Sequence, residues 1–243
     1  MRNKILITTL LSIFLHLNLF SQLKLSSISF YTDYSYPVKK RLLVNKIDGV
    51  GGGISISFSA FEFLELSFTG GYTLFSLQQE NAIQQWNWRF YTERYAAIIR
   101  DNLRADSSLA AYLNPVQKMD LMPIQFSISG NFKFLKYFSL KPQIGAGIYF
   151  YTRRLYLEEI WRKKFDDLNY TFEYSYRNFA SNKYGNPLGV FSLIEFNYQP
   201  SEIITIGTAF GYNYFFRTPG KFGYDQFPVN DYLNFKIYLT FLY

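Results

Sequence analysis

The chain has 243 residues, a formal net charge of +7, an aromatic content of 21% and no cysteine. The lack of cysteine excludes a disulfide-stabilised secreted domain. Beyond the N-terminus no run approaches the ~18 consecutive apolar residues of a membrane-spanning helix, which excludes a helical membrane protein.

Residues 1–22 have the three parts of an export signal. Arg2 and Lys4 form a basic start, residues 5–20 are mainly apolar, and Ser21 supplies a small residue for cleavage. The alternative, an N-terminal membrane helix, fits less well because the apolar stretch is short and interrupted. We therefore predict a signal peptide over 1–22 and one barrel domain over 23–243. An exported basic protein is expected to meet anionic lipid headgroups rather than nucleic acid.

The only histidine, His16, lies inside the predicted signal peptide. Residues 23–243 therefore lack both His and Cys, the groups that usually supply proton transfer near neutral pH and structural metal ligation. The acidic pairs at 158–159 and 166–167 stand beside basic residues and are interpreted as a solvated, salt-bridged surface. We predict no enzymatic activity, no catalytic residue, no metal site and no cofactor.

Eight segments of the exported part alternate between apolar and polar residues with a period of two, which is typical of β-strands. In chain order they lie at about 23–34, 50–60, 64–74, 122–134, 138–150, 188–198, 204–214 and 233–243. The first segment changes parity, which predicts a bulge near Ser26. Each segment is long enough for the ~9–11 residues with which a tilted strand crosses a bilayer.

The connections between these segments alternate in length. Short turns are predicted around 61–63, 135–137 and 199–201, and long loops over 35–49, 78–121, 152–186 and 217–230. In an up-and-down meander, the short turns then share one end with both termini and the long loops share the other. This asymmetry predicts an all-β fold, an eight-stranded antiparallel up-and-down transmembrane β-barrel with short periplasmic turns and long extracellular loops.

Aromatic residues are concentrated at the two ends of these segments, as they are at the two interfaces of a membrane. The predicted short-turn girdle comprises Phe61, Phe63, Phe132, Phe134, Tyr137, Phe138, Phe196, Tyr198, Phe241 and Tyr243. The predicted long-loop girdle comprises Tyr31, Tyr34, Tyr72, Phe75, Tyr149, Phe150, Tyr151, Tyr212, Tyr214, Phe215 and Phe216.

The polar face of each strand is expected to fill the barrel interior, which is narrow in a barrel of eight strands. Charged residues on this face need partners. Height above the short turns predicts two interior ion pairs, Lys141 with Glu195 and Glu65 with Lys133. A gated ion path through these charges is the functional alternative.

Two features stand out in the long loops. Tyr95, Ile98, Ile99 and Leu103 recur at helical spacing within 91–113, which predicts a helix that either caps the barrel mouth or binds a partner or membrane surface. The loops also carry exposed basic residues, for which lipopolysaccharide phosphates are natural counter-charges, although a plain solvated loop fits equally well. These residues are Lys39, Lys40, Arg41, Arg153 and Arg154.

The segments 140–149 and 234–243 resemble those of small eight-stranded outer-membrane proteins, the OmpA/OmpX-like porin-type barrels. The resemblance covers residues 23–243 and implies a place in the outer membrane of a Gram-negative bacterium. It also implies that Phe241 and Tyr243, at the end of the last strand, are the signal read by the barrel-assembly machinery. The family hosts many functions, so the resemblance is specific for architecture only.

Three functions remain open on the sequence. The first is a structural or interaction barrel, anchored among outer-membrane lipid and lipopolysaccharide, with a protein partner at its extracellular loops. The second is a narrow porin or transporter for small solutes. The third is a soluble ligand-binding barrel of lipocalin type, in which the apolar faces would point inward.

Overall fold

The computed structural model describes residues 23–42, 44–61, 63–79, 81–218, 220 and 223–243. The predicted signal peptide at 1–22 lies outside the described residues. Alternating residues over long stretches form eleven strands among the described residues. They are β1 Lys24–Lys40, β2 Val44–Phe61, β3 Leu64–Gln79, β4 Leu109–Gly130, β5 Phe132–Leu135, β6 Phe138–Phe165, β7 Tyr170–Phe179, β8 Lys183–Gly185, β9 Leu188–Tyr198, β10 Ile204–Phe215 and β11 Val229–Leu242.

The helical structure is concentrated between β3 and β4. Helix α1 covers Ala82–Trp86, a π-helical turn covers Phe90–Tyr95, and helix α2 covers Ala96–Ala105. Two single 3₁₀ turns lie at Asp166–Leu168 and Tyr224–Gln226. None of the helices in the described part of the chain has the length and apolar character needed to cross a membrane.

Eight long strands pair in a closed ring. Each of β1, β2, β3, β4, β6, β9, β10 and β11 is antiparallel to both of its neighbours, and β11 pairs with β1 to complete the circuit. The predicted eight-stranded meander is confirmed. The predicted bulge is confirmed too, because Leu25 and Ser27 pair with consecutive residues of β2 and leave Ser26 without a partner there. Closure satisfies the backbone groups that an open sheet edge would expose to hydrocarbon.

The apolar face of the ring points outward. Adjacent residues of β4 show this, since the side chain of Ile128 is 41% exposed while that of Ser127 is only 1% exposed. Inside, the half nearer the short turns is lined by serines, threonines and paired charges. The soluble lipocalin-type alternative is therefore wrong, because it requires the opposite orientation of every strand. The barrel has the faces of a membrane-spanning protein.

The prediction of the short-turn girdle is confirmed, whereas that of the long-loop girdle is only partly correct. All ten residues of the predicted short-turn girdle are exposed on the outer surface, as expected. At the other end, Tyr34, Tyr72, Phe150, Tyr212 and Phe216 are exposed on the outside, whereas five residues of the predicted set are buried inside the barrel. Those five are Tyr31, Phe75, Tyr149, Tyr151 and Phe215. The pleat explains the error, because sequence neighbours such as Tyr149 and Phe150 must point to opposite faces.

Much of the predicted long loops is strand rather than loop. β4 begins at Leu109 and β6 continues to Phe165, so the ladder between them runs from Ser129–Gln143 without a break to Leu109–Lys163. β7 adds a third strand to this extension. A strand of 28 residues is far longer than the ~9–11 needed to cross the bilayer. The sheet therefore projects well beyond the membrane on the long-loop side.

Candidate functional site

The polar half of the interior contains a buried ion pair. Lys141 Nζ lies 2.5 Å from Glu65 Oε2, and Asn131 Nδ2 donates to the other oxygen of Glu65 at 3.3 Å. The predicted partner of Glu65 was Lys133. Lys133 instead lies exposed at the short-turn end and takes part in no ion pair within the described part of the chain. Glu65 pairs with Lys141 because only β4 separates β3 from β6, so the ammonium group of Lys141 reaches the carboxylate along the interior wall.

The predicted pair of Lys141 and Glu195 is brought together in register. The two residues are directly opposite on β6 and β9, and both are buried. The hydrogen bond to Glu195, however, comes from Gln143 Nε2 at 3.0 Å, while Lys141 is committed to Glu65. The interior charges thus form one cluster on one side of the barrel wall rather than two separate pairs.

An aromatic layer lies above this charged cluster. The rings of Tyr31 and Tyr238 are 5.5 Å apart and pack with Leu193 and Ala209. Above it, Asp33, Gln125, Asn213, Asn234 and Lys236 form a buried polar layer, and a larger apolar cluster lies nearer the long-loop end. It comprises Val44, Ile47, Phe75, Leu77, Met119, Leu121, Tyr149, Tyr151, Phe215, Tyr224, Phe227, Val229 and Tyr232.

The open space of the lumen lies below that layer. A cavity of about 310 Å³ opens at the short-turn end and is lined by polar groups, among them Glu65, Lys141, Glu195 and Asn197. Next above these residues on β1 and β11 are Tyr31 and Tyr238, whose rings pack against each other inside the barrel. The cavity is therefore a vestibule at the short-turn end, below the packed side chains of the upper half.

The candidate binding surface is the sheet that projects beyond the barrel ring on the long-loop side. We name it the finger: residues 109–116 of β4, residues 155–165 of β6, and β7. β6 is its central strand, paired with β4 on one side and β7 on the other. β7 pairs with no other described strand, so its second edge presents free backbone N–H and C=O groups.

One face of the finger carries the helical segment, residues 82–105. Trp86 and Trp88 pack with Leu155 and Leu157 in a buried apolar cluster, and Trp86 Nε1 donates to the carbonyl of Ser181 at 3.0 Å. The predicted helix over 91–113 is present in its first part only. It ends at Ala105 because the residues from Leu109 onward pair with β6. Ile99 is the buried side chain of this helix, while Ile98 is exposed.

A buried carboxylate joins the helical segment to the finger. Glu159 is 0% exposed and accepts hydrogen bonds from Tyr95 OH at 3.0 Å, Trp161 Nε1 at 2.9 Å and Asn178 Nδ2 at 2.6 Å. Tyr176 OH bonds to Tyr95 OH, and burial raises the pKa of both phenols. The interpretation of 158–159 as a solvated pair is wrong for Glu159, because the alternation of the strand turns it inward.

The remainder of this face is a row of exposed aromatic side chains. Tyr170, Phe172, Tyr174 and Tyr176 occupy alternate positions of β7 and are all exposed. The rings of Tyr174 and Tyr176 are stacked with centroids 6.1 Å apart. The opposite face is polar and carries cross-strand ion pairs, Arg162–Glu173 at 2.5 Å and Arg177–Glu158 at 3.1 Å. The finger thus combines an aromatic face, a charged face and a free edge.

The predicted lipopolysaccharide-contacting residues are placed differently from one another. The side chains of Lys39 and Lys40 are exposed. Arg154 points outward, 40% exposed, and forms an ion pair with Asp120 at 2.5 Å. Arg41 donates to the carbonyls of Tyr224 and Phe227.

Arg153 is the exception, because it is buried and cannot reach a lipid headgroup. It donates to the carbonyl of Gln226 at 2.9 Å and to Gln117 Oε1 at 3.0 Å. Its predicted surface role is wrong, since Arg153 and Arg154 lie on opposite faces of β6.

The aromatic residues of the last strand lie at the short-turn end. Phe241 is paired with Ile28 of β1 and is exposed on the outside, and Tyr243 is exposed beyond the end of β11. The structure therefore leaves both side chains accessible at the seam where the barrel closes.

No protein-family model matches this chain, and no curated protein does either. Among solved structures, it is similar to a major outer membrane protein from Thermus thermophilus, with 11% identity, 89% of this chain and 99% of that chain covered, and a TM-score of 0.46. Neisserial surface protein A gives 12% identity, 89% and 97% coverage, and a TM-score of 0.45. Ail, the attachment invasion locus protein of Yersinia pestis, in complex with the heparin analogue sucrose octasulfate, gives 9% identity, 90% and 97% coverage, and a TM-score of 0.41.

All three neighbours are covered almost completely.

Proposed function

We propose that this protein is an outer-membrane anchor that displays the finger at the surface of a Gram-negative cell, where it binds a macromolecular partner. The single observation that carries the proposal is β7, an edge strand with a row of exposed aromatic residues. This strand lies far above the membrane band, by which we mean the apolar outer surface between the two aromatic girdles. Aromatic side chains and free strand edges are frequent features of binding surfaces. In this proposal residues 1–22 direct export, and the protein acts by binding rather than by catalysis.

The filled interior argues against the porin alternative. The aromatic layer of Tyr31 and Tyr238 and the apolar cluster above it occupy the lumen where a solute would have to pass. The charged cluster of Glu65, Lys141 and Glu195 lies below this layer and stabilises the wall instead of conducting.

The membrane supplies the other proposed partners. Lys39, Lys40 and Arg154 are proposed to donate charge-assisted hydrogen bonds to lipopolysaccharide phosphates above the long-loop girdle, which their exposed side chains support. Phe241 and Tyr243 are proposed to be recognised by the barrel-assembly machinery before the seam between β1 and β11 closes.

Single cysteines test the orientation, because the chain has none of its own. Glu173→Cys, on the charged face of the finger, should react with a membrane-impermeant maleimide on intact cells. Ser201→Cys, in a short turn, should react only after the outer membrane is permeabilised. The reverse pattern would place the finger in the periplasm and refute surface display.

A photo-crosslinking residue tests the binding role on living cells. Placed at Phe172 on the aromatic face, it should give a discrete adduct with another macromolecule. The matched control at Ile144, on the outer surface of the membrane band, should give no protein or polysaccharide adduct. If Phe172 gives nothing and Tyr170→Ser/Tyr174→Ser cells behave like wild type in adhesion, the finger is not a binding surface.

A further inference from the structure

The outer surface of the membrane band is not uniform. A groove of about 550 Å³ crosses β4, β6, β9 and β10 between the two girdles. Its floor contains two small outward-facing residues, Ala146 and Ser192. Bulky side chains stand on both sides of the floor. They are Phe126 and Ile128 on one side, and Tyr212 and Tyr214 on the other.

Strand register accounts for the shape of the groove. Two cross-strand rows run across it, Ile128–Ile144–Ser192–Tyr212 and Phe126–Ala146–Val190–Tyr214. The small residue is on β9 in the first row and on β6 in the second. The two depressions are therefore adjacent and join into one channel along the outer surface.

The floor of the groove is closed, and its wall on β10, formed by Tyr212 and Tyr214, is held in place. This wall is the upper one, on the long-loop side. Under the floor, the ring of Phe191 lies against Gly145, within 2.6 Å of where a Cβ at that glycine would be. No passage therefore leads from the groove to the lumen at this point. At the upper wall, Tyr212 OH donates to Asp231 Oδ2 at 2.7 Å, which holds the phenol in place.

We infer that this groove binds the hydrocarbon chain of a membrane lipid whose headgroup lies on the long-loop side. The groove is apolar and lies in the band where hydrocarbon is the surrounding medium. A helix, about 10–12 Å across, is too wide to enter such a groove between single side chains. A strand has no free edge to join, because the edges of all four strands are paired in the barrel ring.

A second copy of the chain fits less well than a lipid. A stable protein interface uses about 20–30 residues on each side, and the groove offers far fewer. Charge also favours a lipid. The backbone N–H of Lys39 donates to Asp231 Oδ1 at 2.7 Å, so the exposed ammonium-bearing side chain of Lys39 stands two strands from the tyrosine wall, at headgroup height. An anionic headgroup above the groove would find its counter-charge there.

Native mass spectrometry of the delipidated protein, titrated with dipalmitoyl phosphatidylglycerol, tests this inference. Wild type should form one saturable lipid adduct. Filling the floor with Ala146→Phe/Ser192→Phe should weaken that adduct about tenfold, the loss of about 1.4 kcal/mol of binding free energy. The matched control is Gly70→Phe, an outward position on β3 where an added Cβ meets nothing within 4 Å, and it should keep the adduct.

The two single variants, Ala146→Phe and Ser192→Phe, keep the test decisive if the double variant does not fold, and gel mobility before and after boiling reports folding for each. Equal adducts on all folded variants, or none on wild type, would overturn the inference. So would a wild-type dimer that the groove variants abolish, since that result would assign the surface to a second copy of the chain.

Discussion

Ser127 and Ile128 are neighbours in the chain, yet their side chains lie in different environments. Ser127 is buried inside the barrel, and Ile128 is exposed on the outer surface. The pleat of β4 separates them by the thickness of one sheet. The same alternation governs Arg153 and Arg154, and Glu158 and Glu159, so the role of each side chain follows from its parity rather than from its position in a loop.

Ile128→Arg places a cation on the outer surface near the middle of the band. We expect the barrel to lose roughly 2–4 kcal/mol of unfolding free energy, the cost of Arg at the bilayer midplane. Reversible urea unfolding in lipid vesicles measures this loss. Ile128→Leu is the control and should cost little. Unchanged stability of Ile128→Arg would mean that position 128 does not face lipid.

Glu159→Ala removes the acceptor shared by Tyr95, Trp161 and Asn178. Three donors then lose their partner in a buried site, which should cost roughly 1–3 kcal/mol locally. Hydrogen exchange of residues 82–105 should therefore accelerate while exchange in the barrel strands stays slow. Glu158→Ala, which breaks an exposed ion pair with Arg177, should have an effect of only about 0–1 kcal/mol. Equal exchange in the two variants would show that Glu159 does not hold the helical segment.

At the scale of elements, the transmembrane strands could be predicted from the sequence and the finger could not. Residues 204–214 alternate with Thr208 and Ala209 as the only departures, and this pattern alone identifies β10. Residues 109–116 alternate poorly and include Pro115, so they read as loop, although they pair with β6 throughout. Their strand structure comes from a partner about fifty positions away in the sequence, which local periodicity does not contain.

The attachment of the helical segment to β7 should weaken at high pH. Burial raises the pKa of Tyr176 above the ordinary value of 10.0. A raised folded-state pKa gives stability that is fully present below the unfolded value and is lost as pH rises towards the folded value. The tyrosinate absorbance of wild type minus that of Tyr176→Phe should therefore show its step well above pH 10.0.

The same difference taken in denaturant is the control, because position 176 must then titrate as an ordinary tyrosine. If the step in the folded protein coincides with the step in denaturant, the phenol of Tyr176 is not held in its contact with Tyr95.

At the scale of the molecule, the closed eight-stranded barrel was predicted from the sequence, whereas the lipocalin-type alternative with inward apolar faces was excluded only by the burial of the side chains. Most residues of the short-turn girdle were predicted correctly because they follow the apolar parity of their strands, while Phe61, Phe63 and Tyr137 lie at the ends of strands or in the short turns. The plugged half of the lumen was missed, since Phe75, Tyr149 and Phe215 were assigned to a girdle by height alone. Their parity is that of the polar face, and this was the available indication that they point inward. The interior ion pair of Glu65 with Lys141 spans the intervening strand β4, a contact that comparing only neighbouring strands does not give.

The central claim is that the apolar face of the ring meets lipid, and a pair of nitroxide labels tests it most directly. The chain without cysteine allows a single label at position 128 or at position 127, in protein reconstituted into lipid vesicles. We predict that the label at 128 relaxes rapidly with oxygen dissolved in the bilayer and is shielded from a water-soluble nickel complex. The label at 127 should be protected from oxygen, because it lies inside the barrel wall. A label at 128 that is protected from oxygen, with position 127 open to the nickel complex, would contradict this orientation of the ring.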